Sequence, residues 1–253
     1  MPSLPAVPAE LAGAVESLRT DLSGIFGPRL RAIVAYGARL FPSPASVPSA
    51  RKARLNSLVL LDAVRLEDLQ ACAGRADAWL RSGLRIPLLL GHTEFVRSLD
   101  VFPFEYGDII ARHVLVAGED PFAGLAALPA DLRRSAEQQA KSHLIHLRGG
   151  FVEASGRHAE IADVLRASAV PFATLLGHVV RLRGRDDSTL ESLAAGVQDI
   201  PGVTVQVCRD VLSLVHDPAI ADDDARRLFP GYVETVTGLV HWLDQWTPDG
   251  AAR

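Results

Sequence analysis

The spacing of apolar residues changes near residue 129, and this change limits what the chain can fold into more than any other feature. Before it, short apolar runs alternate with segments that repeat apolar residues every three or four positions; after it, only the helical repeat remains. The helical half starts at Pro129 and Asp131, residue types favoured in the first turn of a helix. The pattern predicts an α+β chain, with an α/β domain over residues 1–124 and an all-helical domain over residues 125–253.

The first half is predicted to contain a mixed sheet with flanking helices. A helix over residues 9–26 precedes a strand that ends at Gly37, and a loop rich in proline and serine follows, ending with Arg51, Lys52 and Arg54. The later segments are "LNSLVLLDAV" (strand), "LEDLQACAGRADAWLRSG" (one helix), "RIPLLLG" (strand), "HTEFVRSLD" (short helix) and "VFPFEYGDIIARHVLVAGEDPF" (strand and turn).

The second half is predicted to be an all-α helical bundle. We expect Pro230 to break or kink its last helix, because proline cannot donate the backbone hydrogen bond of a helix interior. After the helix that begins at Pro129, the predicted helices span residues 157–168, 171–183, 188–197, 203–215 and 222–246.

The composition gives no sign of a nucleic-acid or membrane partner. The net charge is −4, so a basic surface for nucleic acid is not favoured. The N-terminal segment carries Glu10 and Asp21 where a signal peptide would need an apolar core, and the apolar runs "SLVLLDAV" and "IPLLLG" fall far short of the ~20 residues of a membrane span. We therefore expect a cytoplasmic protein in which Cys72 and Cys208 are reduced and partly buried.

Three motifs of the first half resemble those of the nucleotidyltransferase superfamily, the fold shared by DNA polymerase beta and aminoglycoside adenylyltransferases. They are "YGAR" where the family has Gly-Ser, "LNSLVLLD" where it has Asp-x-Asp opening the second strand, and "DVFPFEYGDIIARHVLVAGEDPF", which is similar to segments of bacterial members. A helical bundle after this domain is similar to the two-domain layout of the aminoglycoside enzymes. The resemblance implies two-metal phosphoryl transfer, in which three carboxylates hold magnesium.

The residues that this chemistry requires are missing. At the family's motif positions, Gly37 matches the glycine, Ala38 replaces the serine, and Asn56 and Leu58 replace the two aspartates. Asp62 lies four residues beyond Leu58, roughly 13 Å along a strand, which is too far to share a metal ion. Residues 38–61 contain no acid, so a shift of the alignment by one or two positions restores no Asp-x-Asp pair. We therefore expect no catalytic residue, no metal site and no cofactor here.

The remaining candidates form a remnant ligand site. Its predicted lining residues are Gly37, Ala38, Arg39, Asn56, Glu105 and Asp108. In the fold implied by the resemblance, Glu105 and Asp108 lie close to the sheet and could face the cleft between the two domains. Arg39 and the loop cations could attract a phosphate without a metal.

Three functions stay open at this point. The first is a catalytically degenerate protein that binds a small molecule or nucleotide in the cleft between its domains, or a partner protein on its surface. The second is an active transferase that takes acids from Glu105, Asp108 or elsewhere. The third is an interaction or scaffold module with a vestigial cleft, homodimeric through the helical half. An unrelated α/β fold with an ordinary core strand at "LNSLVLLDAV" is the structural alternative to all three.

Overall fold

A computed structural model describes residues 7–46, 52–155 and 157–247, so the predicted loop cation Arg51 lies outside the described residues. Contacts between residues divide the chain into two compact units. We call them the sheet unit, with described residues 7–42 and 52–127, and the helical unit, with residues 43–46 and 128–247. The main chain passes from the first to the second after Ala127, three residues beyond the predicted boundary.

The sheet unit has a four-stranded mixed sheet in the order β3-β2-β1-β4. Strand β1 is antiparallel to both β2 and β4, whereas β3 is parallel to β2. The strands are β1 (Leu30–Tyr36), β2 (Asn56–Leu61), β3 (Leu88–Gly91) and β4 (His113–Gly118), and the helices are α1 (Ala12–Phe26), α2 (Leu66–Ala73), α3 (Ala76–Arg81), α4 (His92–Arg97) and α5 (Pro103–Ala111). This architecture confirms the predicted α+β fold class.

The two faces of the sheet pack against different helices, because successive strand residues point to opposite sides. One face packs Ile33, Val59 and Leu61 against α1 and Trp79 of α3. The other face packs Val34, Leu58 and Leu60 against Phe95 of α4 and Tyr106 and Ile109 of α5, with Phe122 from the loop after β4. Both faces of β2 are therefore buried, which explains its nearly continuous apolar sequence.

Two predictions for the sheet unit were incomplete. The single helix predicted over "LEDLQACAGRADAWLRSG" is broken at Gly74 into α2 and α3, so that Cys72 and Trp79 both reach the core. Helix α5 was not predicted within "VFPFEYGDIIARHV". It begins at Pro103, a residue suited to the first helical position, and buries Phe104, Tyr106 and Ile109.

The helical unit contains α6 (Pro129–Ala154), α7 (His158–Leu182), α8 (Leu190–Ala195), α9 (Val205–Ser213) and α10 (Asp222–Gln245). The predicted division between residues 168 and 171 was wrong, because α7 runs unbroken through Pro171. Pro230 was predicted to break or kink the last helix, and it does not break it, since α10 continues through this residue. Proline in a helix interior costs about 3 kcal/mol. Burial of one stripe along most of each helix outweighs that cost.

Helix α7 is long and apolar enough to pass as a membrane span by length and composition. Of its most apolar 18-residue window, 56% is buried inside the protein. Leu165, Phe172 and Leu176 are fully buried along it. Burial of this kind is typical of the central helix of a helical bundle.

A buried histidine, His178, and a partly buried one, His143, are expected to make the helical unit sensitive to acid. Burial lowers the pKa of His143 to about 4 and that of His178 to about 3, with smaller contributions from His146 and Arg181 respectively. Both values lie below the ordinary 6.5 of an exposed histidine. Stability is therefore complete above pH 6.5 and falls as the pH drops towards the folded-state values, by up to about 1.4 kcal/mol per pH unit for each histidine.

Urea denaturation followed by circular dichroism, from above pH 6.5 down to about pH 5, measures this slope. The His143 side chain is hydrogen-bonded to the hydroxyl of Tyr232 of α10 at 2.6 Å. The replacement His143→Gln keeps a polar partner for this hydroxyl and should reduce the pH slope of stability by about half. The exposed His146, one turn along α6, supplies the control variant His146→Gln, which should leave the slope nearly unchanged. A stability that does not vary over this pH range would contradict the prediction.

Candidate functional site

The end of β1 and the start of β2 bring the predicted residues Gly37 and Asn56 together. Tyr36, the last residue of β1, pairs with Asn56, the first residue of β2. Gly37 has a φ of +91°, and a Cβ atom at this position would lie 2.5 Å from Asn56 Nδ2. Only glycine allows both this backbone conformation and the close approach of the asparagine amide. The turn is therefore tight, and Ala38, the next residue, is half-buried.

The position two residues along β2 is closed to any ligand. Leu58 is fully buried on the same strand face as Asn56. The aromatic ring of Phe95 stacks on that of Tyr106 with centroids 4.6 Å apart, and it lies 5.2 Å from the ring of Phe122. Leu58 belongs to the core cluster that these rings form. An apolar, filled position does not fit a divalent metal ion, which needs oxygen ligands.

The other acids near the sheet are engaged elsewhere. Asp62, about half exposed, forms an ion pair with Arg31 of β1 at 2.6 Å. Glu94 caps α4, where its Oε2 accepts a hydrogen bond of 3.1 Å from the Gly91 amide. The resemblance to the nucleotidyltransferase superfamily implies a third carboxylate on β3, but this strand reads Leu-Leu-Leu-Gly. In the part of the chain that the structure describes, no group of three or more His, Cys, Asp or Glu residues is placed to hold a metal ion.

The two predicted acids of α5 lie on its outer side. Tyr106 and Ile109 of this helix point into the core cluster, whereas Glu105 is exposed. Asp108 is partly exposed, and its Oδ1 accepts a hydrogen bond of 3.3 Å from Arg112 one turn later. Their membership of a ligand site stays a prediction.

Arg39 serves the local structure of the loop. Its guanidinium donates to the carbonyl oxygen of Ala53 at 2.7 Å and to Glu10 Oε1 at 3.0 Å, and its side chain is 14% exposed. The bond to Ala53 joins the two ends of the loop between β1 and β2, and the bond to Glu10 ties the loop to the segment before α1. The buried Nε of Arg39 has no hydrogen-bond partner among the described residues.

Three residues at this end of the sheet were missed by sequence reasoning. Burial raises the pKa of Tyr36, with a further contribution from Tyr106, while the charge of Arg85 acts in the opposite direction. Arg81 and Arg85 line a groove of about 850 Å³ together with the loop cations Lys52 and Arg54. The only signal in the sequence was that Arg85 begins the predicted strand "RIPLLLG", and no local pattern pairs it with residue 54.

Comparison with known proteins shows a fold but no close relative. The sequence matches no protein-family model and no curated protein. The structure is similar to the crystal structure of spectinomycin adenyltransferase AAD(9) from Enterococcus faecialis with ATP and spectinomycin, with a TM-score of 0.52. The similarity covers 92% of this chain and 99% of that one, at 10% sequence identity. The chain therefore has the α+β fold of a nucleotidyltransferase.

Proposed function

We propose that this protein is a catalytically degenerate member of the nucleotidyltransferase fold, which binds a small anionic ligand and does not transfer a nucleotide. The observation that carries the proposal is the burial of Leu58 in a filled aromatic cluster, at the position where the fold places a metal-binding aspartate. Asn56 offers one neutral oxygen, and Leu58 offers none. Without carboxylates on this strand, nothing there balances the charge of a divalent ion.

Ligand binding is supported by what the same end of the sheet retains. Gly37 keeps the tight turn, and the side chains of Tyr36 and Asn56 remain partly accessible beside it. The related AAD(9) structure was determined with ATP and spectinomycin, so ATP is the first ligand to test. Cationic side chains in place of a metal would hold its phosphates.

Calorimetry with ATP in the presence and absence of Mg²⁺ tests the proposal. We expect weak binding that does not change when EDTA replaces Mg²⁺, and no turnover of radiolabelled ATP above background with small-molecule or protein acceptors. Binding that requires Mg²⁺, or measurable nucleotide transfer, would overturn the proposal in favour of an active transferase. The variant Asn56→Ala should weaken ATP binding, whereas Glu67→Ala, at an exposed position of α2 outside the predicted site, serves as the surface control.

Absence of ATP binding under both conditions would favour the interaction module instead. A specific feature of the helical unit supports that second candidate: α6 exposes three large apolar side chains, Ile145, Phe151 and Val152. Such residues on one helix are typical of a surface that contacts another protein or a second copy of the chain. A cytoplasmic location, consistent with the unpaired thiols of Cys72 and Cys208, is part of the same proposal.

A further inference from the structure

We propose that the groove lined by Lys52, Arg54, Arg81 and Arg85, here called the basic groove, binds the oligophosphate group of a small molecule without a metal ion. The inference rests on the proposed function in one respect, namely that cationic side chains take the place of the missing metal. It adds the site, the residues that form it and the chemical class of the ligand.

The basic groove is built on backbone hydrogen bonds between two segments. The Leu55 amide donates to the Gly83 carbonyl at 3.0 Å, and the Arg85 amide donates to the Leu55 carbonyl at 2.9 Å. Gly83 has a φ of +89°, which lets the chain turn from α3 into this pairing. The cations are therefore carried by a fixed scaffold on both walls of the groove.

The four cations of the basic groove lack carboxylate partners. Among the described residues, no Asp or Glu lies within ion-pair distance of Lys52, Arg54, Arg81 or Arg85. The guanidinium of Arg54 donates only to the Leu80 carbonyl oxygen, at 3.1 Å. Of the other described arginines of the sheet unit, Arg65 and Arg97 form no ion pair, and six are paired with acids, namely Arg19, Arg29, Arg31, Arg39, Arg75 and Arg112. Like charges gathered without counter-charges, in a chain of net charge −4, attract an anion.

The position of the basic groove relates it to the Gly37 turn. Arg54 lies two residues before Asn56, at the end of β2 that adjoins the Gly37 turn. The charge of Arg85 acts on Tyr36, the residue paired with Asn56. The basic groove therefore lies near the end of the sheet that carries the glycine turn.

The size and chemistry of the basic groove favour several linked phosphates. A volume of about 850 Å³ is that of a small-molecule site. Four exposed cations match a group that carries three or four negative charges, and arginine donates to phosphate oxygens through two parallel N–H bonds. The side chain of Ile86, 47% exposed, adds an apolar wall for the rest of the molecule.

Isothermal titration with tripolyphosphate, orthophosphate and ATP, all in EDTA, tests this inference. We expect tripolyphosphate to bind at least about tenfold more tightly than orthophosphate, because only the longer anion contacts several cations at once. ATP tighter than tripolyphosphate would identify a nucleotide as the source of the phosphates, and equal affinities would identify an inorganic or unrelated phosphate ester. Affinity for single-stranded DNA oligomers that rises with their length would instead indicate a nucleic-acid surface and overturn the inference.

A pair of double variants distinguishes binding in the basic groove from general electrostatic attraction to the protein surface. Arg81→Ala with Arg85→Ala should weaken tripolyphosphate binding by about tenfold or more. Arg31→Ala with Arg75→Ala removes the same charge from exposed positions outside the groove and should change it less than about twofold. Equal losses in both variants, or no metal-free binding by the unmodified protein, would overturn the inference.

The test of the basic groove and the test of the proposed function can fail separately. Nucleotide transfer with Mg²⁺, together with loss of tripolyphosphate binding only in the Arg81 and Arg85 variant, would leave the basic groove established and the degenerate function wrong. Absence of nucleotide transfer, together with tripolyphosphate binding that the Arg81 and Arg85 variant leaves intact, would support the degenerate function and show the basic groove to be wrong.

Discussion

Leu58→Asp is expected to destabilise the sheet unit by more than about 4 kcal/mol, and so to leave most of the protein unfolded. Leu58 is 0% exposed, between Val34 and Leu60 on its own sheet face and the rings of Phe95 and Tyr106. A carboxylate there loses its water and gains no hydrogen-bond partner, while the cluster loses the volume of the leucine. The substitution that would place an aspartate at this position of the strand therefore removes part of the core.

The free energy of unfolding, from urea denaturation followed by tryptophan fluorescence, measures this effect. Asn56→Asp is the matched control, because it introduces the same charge two residues earlier on the same strand face, at a position that is only partly buried. We expect that variant to remain within about 1 kcal/mol of the unmodified protein. A folded Leu58→Asp protein of ordinary stability that binds Mg²⁺ would contradict both this prediction and the proposed function.

A metal site on this strand would need more than one change. Leu58 is tied to the packing of α4 and α5, since Phe95 and Tyr106 stack at 4.6 Å in the cluster to which it belongs. A carboxylate at this position would require smaller or polar residues on both helices at once. A single substitution therefore cannot create a metal centre on this strand.

The parts of this fold that could be predicted from sequence are those specified locally. Alternation from helix to strand, the glycine at the end of β1 and the proline at the start of α6 are each set by neighbouring residues. The absence of acids between residues 38 and 61 also needs no structure to establish. Gly37 and Asn56 were predicted to line one site on the basis of the motifs, and the register of β1 with β2 places them close together.

The parts that could not be predicted depend on contacts between distant segments. Pro171 and Pro230 signal helix ends, yet burial in the helical unit keeps α7 and α10 continuous through them. The basic groove combines Arg54 with Arg81, and only the pairing of Leu55 with Leu84 brings them together. The burial of Leu58 likewise depends on aromatic rings about 40 to 65 residues further along the chain, and no local sequence pattern predicts it.

Gly118→Ala is expected to destabilise the sheet unit by more than about 3 kcal/mol. Gly118 ends β4 opposite Ala32 of β1, with a φ of +84° that disfavours any residue with a Cβ atom by about 1–2 kcal/mol. A Cβ atom at this position would also lie 2.0 Å from the Arg31 carbonyl oxygen and 3.0 Å from the Ala32 Cα atom. Both contacts are with backbone, which cannot rotate aside as a side chain could, so the end of β4 must separate from β1.

The stability of Gly118→Ala, measured by thermal and urea denaturation and compared with that of Gly24→Ala, tests whether the backbone at position 118 requires glycine. Gly24 lies within α1 of the same unit, and a Cβ atom there would meet nothing within 4 Å, so alanine should stabilise the protein by up to about 1 kcal/mol. The two substitutions add the same methyl group and should change stability in opposite directions. Because β4 pairs only with β1, loss of its end exposes the edge of β1 that carries Ala32 and Ile33, two residues that are otherwise fully buried. Equal stability of the two variants would mean that β4 can shift relative to β1 without penalty, which the burial of these residues argues against.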